Sequence, residues 1–519
     1  MRSTGDKENN KVRVATVVMS ALLGVAGPAG SAETPNATPS PEIPAVDVYR
    51  YALQRAVKQV SEGELADAYT ALLGVVRSPV FDQLEPAERH WALFVAGLVA
   101  LDLDKPVEAH PLLVRACALP GADGDDWVGR LNAARLMDQR EDMVLSLTQI
   151  ARQWPKSLDE LIYQIVTETV SYAHQVPNSE AVLHELLDAL YAAKWTFPEK
   201  IEPSYMWRDL AALEIDRKNV ARAREVVSRV QSPHVVIGMR IDRRFDPLRE
   251  SVPKYFDVEA AVKSELAMLR AIVQRSPRSM NAIVELTYSQ LGAGLYEETL
   301  ATTADVLRKI ETAPAKEPPY DDMDKVIWIY DNKARALAAT QRWGEAEKEV
   351  RAAADRKEDG ERNVSNVINL AWFYAEAGRS DEALATLLDL GQSMTKYGLM
   401  QMHGVRYAAA LQKGDAEIAN ESLTYLVEHR NDSLDMWQRT LVIANRLDEA
   451  AALLIERLRD PVLRGAVLND LQDYADPPPQ EQRAVWNARW RQIRDRPDVR
   501  KAIEAVGRIE KFRVPNPPS

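Results

Sequence analysis

The sequence predicts an all-α chain, a solenoid of stacked antiparallel helix hairpins. Three observations predict it. Residues 367–390, VINLAWFYAEAGRSDEALATLLDL, read as a helix, a tight turn at Gly378 and a second helix. Degraded copies of this stretch recur along most of the chain. The chain is 46% hydrophobic, with Pro and Gly scarce inside the periodic segments. Its 519 residues exceed what one compact core usually holds. A solenoid escapes that limit, because each unit packs only on its neighbours.

Within the best copy, Leu370, Ala371 and Tyr374 share one face of the first helix, and Ala383, Leu387 and Leu390 share one face of the second. Spacings of three, four and seven residues make a helical stripe. Small Ala371 and Ala383 let two helix backbones come close. Gly378 suits the left-handed conformation that stops the first helix. Ser380 is the expected cap of the second, with Asp381 and Glu382 favourable in its first turn.

The small residue of the second helix marks each copy: Ala68, Ala109, Val144, Ala223, Thr299, Ala346, Ala383, Ala419 and Ala450. Successive spacings include 35, 37 and 36 residues, and the two longest gaps are about two periods each. Matching phrases precede several markers: GELADA at 63–68, LYEET at 295–299, WGEA at 343–346 and LDEA at 447–450. Pro155, Pro233 and Pro277 fall between hairpins. This pattern resembles the tetratricopeptide repeat, of period about 34 residues. The resemblance, to exported bacterial members in particular, implies a right-handed superhelix whose concave face binds protein partners.

Taken in order, residues 1–32 read as an export signal. Lys11 and Arg13 close a charged start, Val14 to Val25 are apolar, and Gly30, Ser31 and Ala32 are small. The alternative is an uncleaved anchor. Residues 33–45, rich in Pro, Thr and Ala, read as a flexible linker. Residues 46–234 are a first set of helical repeats. Residues 235–257 break the pattern, with Pro247 and Pro253 stopping regular helix. There Arg240, Arg243, Arg244 and Arg249 form an anion site, or else Phe245 and Leu248 dock on the solenoid while the charges pair locally. Residues 258–475 resume the repeats, interrupted by a long loop from Glu311 to Met323. Residues 476–519 hold Pro477, Pro478 and Pro479 and two final helices; Trp486, Trp490, Ile493 and Ile503 suit a terminal cap.

Charge and chemistry narrow the function. Net charge is −12, and −14 without residues 1–32. That argues against general nucleic-acid binding, which needs a basic footprint. The single cysteine, Cys117, permits no internal disulfide. The seven histidines make no zinc motif, and no phosphate-binding glycine loop or nucleophile elbow occurs. No catalytic residue, metal or cofactor is expected.

The resemblance points instead to a groove. Carrying its concave positions onto this chain gives Tyr288, Trp328, Asp331, Asn332, Arg335, Asn369 and Trp372. A clamp for a terminal carboxylate is disfavoured, because Asp331, Gln401 and Val405 stand where basic residues would help. The expected function is an exported scaffold for protein–protein interaction in the bacterial cell envelope, periplasmic or secreted, with a protein or peptide partner. The rivals are a structural subunit of an envelope export machine and a helical-superhelix enzyme such as a lytic transglycosylase. The enzyme reading suffers because only about sixty residues follow the last repeat.

Overall fold

The computed structural model describes residues 45–314, 316–358, 361–388, 390 and 394–516. The expected signal at 1–32, and the expected linker apart from Ala45, lie outside the described residues. The fold is all-α, with one two-residue ladder pairing Lys357–Glu358 with Glu361–Arg362. No helix among the described residues is long and apolar enough to cross a membrane. The chain forms two compact units, one ending at Ile201 and one starting at Glu202.

One local device builds the hairpins of both units. In nine hairpins the residue that ends the first helix adopts positive φ: Gly63, Asp104, Asp138, Lys218, Gly294, Gln341, Gly378, Gly414 and Asn445. The next residue donates its N–H to the carbonyl five positions back, at 2.8–3.0 Å in all nine hairpins, as Arg379 does to Tyr374 at 2.8 Å. This six-to-one bond is the Schellman closure of a helix C-terminus. Five of the nine turn residues are not glycine. Three of these are Asp or Asn, which tolerate the left-handed region; Lys218 and Gln341 hold it at a local cost.

The turn fixes the register of the second helix. Five residues after each left-handed residue comes the fourth residue of that helix. Eight of the nine expected markers occupy that place, and each of the eight is at most 8% exposed. The third copy differs by one. Asp138 is the left-handed residue there, so Met143, fully buried, is the equivalent position, and Val144 is its neighbour. Ser380 is not a cap either. The closing turn places Arg379 at the N-cap, Ser380 falls inside the helix Ser380–Leu387, and its hydroxyl donates to Gln412 at 2.9 Å.

Unit 1 stacks four hairpins, from Ala45–Ser61 with Leu65–Val76 to Tyr163–Ala173 with Ser179–Ala192. Histidine–aspartate ties link one hairpin to the next. His90 Nε2 lies 2.8 Å from Asp126, 36 residues on, and His110 Nε2 lies 2.7 Å from Asp142, 32 residues on. The hydrogen bond to Asp126 holds the His90 imidazole above its ordinary pKa. Burial pushes the Asp142 carboxyl up, but Arg130 and His110 outweigh it and hold the group below its usual range. Half-buried Cys117 sits among these groups, and burial pushes its thiol up to about 12.

Unit 2 runs from the hairpin Ser204–Asp216 with Val220–Val227 to Leu434–Ile443 with Leu447–Arg459. The segment expected to be irregular is mostly short helix, including Pro233–Ile241 and Asp246–Ser251. Pro247 occupies the first turn of its helix, where a missing N–H costs nothing. Phe245 and Leu248 are buried at 1% and 0% exposure, as the docking alternative requires. The 311–323 loop folds back: Asp321 donates its N–H to Arg278 at 2.8 Å, and Tyr320 is buried.

Sequence does not foreshadow the path of the C-terminal segment. The helix Arg464–Asp470 packs on both Leu447–Arg459 and Pro233–Ile241. Glu510 accepts from Arg240 at 2.5 Å and from Arg249 at 2.9 Å. Arg508 pairs with Asp246 at 2.5 Å, and its N–H reaches the Ile241 carbonyl at 3.0 Å. The tail therefore joins the early helices of unit 2 to its last hairpin. The arginines at 240–249 are engaged in this junction: Arg244 pairs with Asp242 at 2.9 Å and Arg243 donates to Gly507 at 3.2 Å. An open cleft of about 360 Å³ lies beside it, lined by Asp246, Arg249, Glu250 and Arg508.

Candidate functional site

The hairpin device also places the candidate residues. Six positions before each left-handed turn residue, unit 2 presents Tyr288, Arg335, Trp372, Ala408 and Arg439 in successive hairpins. A residue at one fixed helical position repeats along the stack as a row. The neighbouring rungs interact. Arg335 donates to Asp331 at 2.7 Å, and Asn369 of the next hairpin donates to the other oxygen of Asp331 at 3.5 Å. The Arg439 guanidinium lies 3.7 Å from the centre of the Trp372 ring.

The seven expected residues divide into three environments. Tyr288 is 43% exposed, and Trp328, Arg335 and Asn369 are half-buried. Asp331 and Asn332 are buried, and Asn332 is a structural tie that donates to Thr287 at 2.8 Å. Trp372 is covered by the chain itself. Trp486, on the C-terminal helix Glu481–Arg494, meets it edge-on, with ring centres 6.2 Å apart and planes at 87°. The indole Nε1 of Trp372 is buried and finds no hydrogen-bond partner among the described residues.

Beside that ring pair lies a charge clasp. Glu376 accepts from Arg439 at 2.8 Å and from Arg483 at 3.2 Å. Burial pushes the Glu376 carboxyl up, and the two guanidiniums overcome this and hold it below its ordinary value. The clasp helix is fixed further along by Arg489, which donates to the Val442 and Ile443 carbonyls at 3.2 and 2.6 Å. These carbonyls end the helix Leu434–Ile443, where a cation is favoured.

At the other end of the row, Glu265 accepts from the Ser289 hydroxyl at 2.8 Å. Burial pushes its carboxyl up to about 7, nearby Glu285 adds to the rise, and the Ser289 hydrogen bond opposes it. Folding therefore favours protonated Glu265. Between its unfolded and folded pKa values the native state binds more protons, so this contribution is lost as pH rises through about 7. We expect the wild-type urea midpoint to fall from pH 5 to pH 8 relative to that of Glu265→Gln. Parallel pH profiles for the two proteins would contradict this.

Sequence reasoning missed Glu265, Glu376, Arg439 and Arg483 as members of this face. Arg439 was accessible, since the same turn offset that marks Trp372 marks it too. Glu265 and Arg483 carry no such signal, because they come from elements outside the row's hairpins.

The nine turn-and-crossing units define the fold class: an all-α array of stacked helix hairpins. No family model matches the sequence, and no curated protein matches it. Among solved structures, the chain is similar to Naa15/Naa10 bound to HypK-THB, at 11% identity and TM-score 0.28, covering 88% of this chain and 86% of that one. It is similar to the APC/C hetero-tetramer Cut9–Hcn1, at 9% identity and TM-score 0.27, covering 88% and 96%. The P58(IPK) TPR domain matches at 15% identity and TM-score 0.18, covering 80% and 100%. At these scores the likenesses carry no argument, and the class rests on the hairpins themselves.

Proposed function

We propose that this chain is a protein-interaction scaffold, working in the bacterial cell envelope and catalysing nothing, and that the concave row of unit 2 is its partner-binding face. The observation that supports this is the row itself. Successive hairpins present an exposed aromatic, Tyr288, a half-buried one, Trp328, and the paired charges Arg335 and Asp331. Aromatic anchors supply affinity and polar groups supply register when a peptide or helix lies in such a groove. The envelope setting is supported by the signal-like residues 1–32.

The test is Tyr288→Ala combined with Arg335→Glu. Neither side chain is deep in the core, so the double variant is expected to stay folded, with a lower melting temperature because Arg335→Glu sets a like charge against buried Asp331. It should lose at least one protein captured by wild type from a periplasmic extract. A folded double variant that retains every partner would remove the row as the binding face.

A further inference from the structure

The helix Glu481–Arg494 occupies one end of this row and stops short of the other. Its contacts run in order along the array. Gln482 lies over Gly378, Arg483 reaches Glu376, Trp486 meets Trp372, Arg489 caps Leu434–Ile443, and Arg496, just beyond the helix, pairs with Asp448. Its N-terminal end therefore points toward the hairpin that carries Arg335 and Asp331. Small Ala408, between Trp372 and Arg439 in the row, leaves the helix room to cross.

The built-in helix cannot continue in that direction. Pro477, Pro478 and Pro479 precede it, and residues 474–480 form no regular structure. Proline lacks the N–H that an extended helix would need, and its ring clashes with the preceding turn. Two more helical turns would span about 11 Å, roughly one interhelical spacing. They would cover Arg335, Asp331 and the approach to Tyr288. That stretch also holds Glu285, which with Asp331 outweighs Arg335 and favours a basic occupant.

We propose that the seat at Trp372, Glu376 and Arg439 also receives an external helix of the same chemistry as the built-in one. That helix has an arginine three residues before a tryptophan and runs on, with basic residues and no proline, over Asp331 and Arg335. The inference rests on the reading of this row as a binding face and names the partner's class. Exchange lifts residues 474–496, which withdraws buried Trp486 and Ile493 and breaks the ties of Ala475 to Val514 and of Asp476 to Asn516, so the incoming helix must refill the places of both side chains. A tethered helix competes at an effective concentration of about millimolar. An external helix displaces it only by using contacts it lacks, and exposed Tyr288 and half-buried Arg335 supply them. The unpartnered Trp372 indole N–H is a further polar group that an incoming helix can satisfy.

The experiment compares two labelled peptides against the full chain by fluorescence anisotropy. One carries residues 477–496 as they stand. The other carries residues 480–496 preceded by two helical turns of alanine and lysine. The extended peptide is expected to bind wild type at least tenfold more tightly than the proline-bearing one. Arg483→Gln, which loosens the built-in helix and leaves the peptides' own arginine intact, should tighten both several-fold. Equal binding of the two peptides to wild type would overturn the proposal, as would indifference to Arg483→Gln in a folded variant. If that variant melts, replacing the arginine and tryptophan within the extended peptide by alanine decides instead, and undiminished binding to wild type would overturn it. Partners lost from Tyr288→Ala with Arg335→Glu while neither peptide binds would leave the face and remove this inference alone. Peptide binding as expected with all partners retained would do the reverse.

Discussion

Ending the chain at Pro479 is expected to unfold much of unit 2 rather than trim it. The deletion removes six buried apolar side chains: Trp486, Ile493, Val499, Ile503, Phe512 and Val514. At about 1.5–3 kcal/mol for each buried side chain of this kind, the loss is on the order of 10 kcal/mol. That is comparable with the whole stability of a typical domain, about 5–15 kcal/mol. The electrostatic consequences act in the same direction. Arg240 and Arg249 lose Glu510, and Glu376 keeps Arg439 but loses Arg483. The expected result is a truncated chain that aggregates in size-exclusion chromatography, with the unit 2 transition lost from the melting curve. A monomeric truncation with an unchanged melt would show that the tail is an ornament on a self-sufficient array.

Ala383→Trp is the second large effect. Ala383 has no exposure, and its helix packs against Val364–Glu376 on one side and Lys396–Lys413 on the other. An indole has no space there. Overpacking costs about 1–3 kcal/mol and occasionally more, and neighbouring repeats share the strain because each is the other's core. We expect a lower urea midpoint together with faster amide exchange in Val364–Glu376 and Lys396–Lys413. Leu388→Trp, at a position 81% exposed, is the matched control and should leave both unchanged. Equal effects of the two substitutions would mean that Ala383 does not sit at a helix crossing.

Much of the architecture was legible because hairpin repeats are local. The spacing of Leu370, Ala371, Tyr374 and Ala383 states which faces meet, and all four are buried as their spacing predicts. The four hairpins between Val326 and Arg459 follow the sequence expectation closely. Turn conformation was less legible. Glycine announces the left-handed residue at Gly378, but Lys218 and Gln341 adopt the same conformation without that signal. The closing hydrogen bond and the packing of the following helix impose it. The one-residue shift from Val144 to Met143 has the same origin: both are apolar and buried, so composition cannot choose between them, whereas the turn at Asp138 can.

The candidate face shows where local reasoning stops. Tyr288, Arg335 and Trp372 were identified as one row, and the turn offset places them at equivalent positions. Whether each is open depends on segments far away in sequence. Trp486 is 114 residues from Trp372, and Glu510 is 270 from Arg240. By itself the sequence determined the helix hairpins and eight of the nine marked crossing residues, because these are fixed by interactions within about one repeat. Only the tertiary structure decided that the tail returns to the early helices of unit 2 and that one end of the row is already covered. Those contacts form between surfaces that exist only once the repeats have stacked, and no periodicity along the chain encodes them.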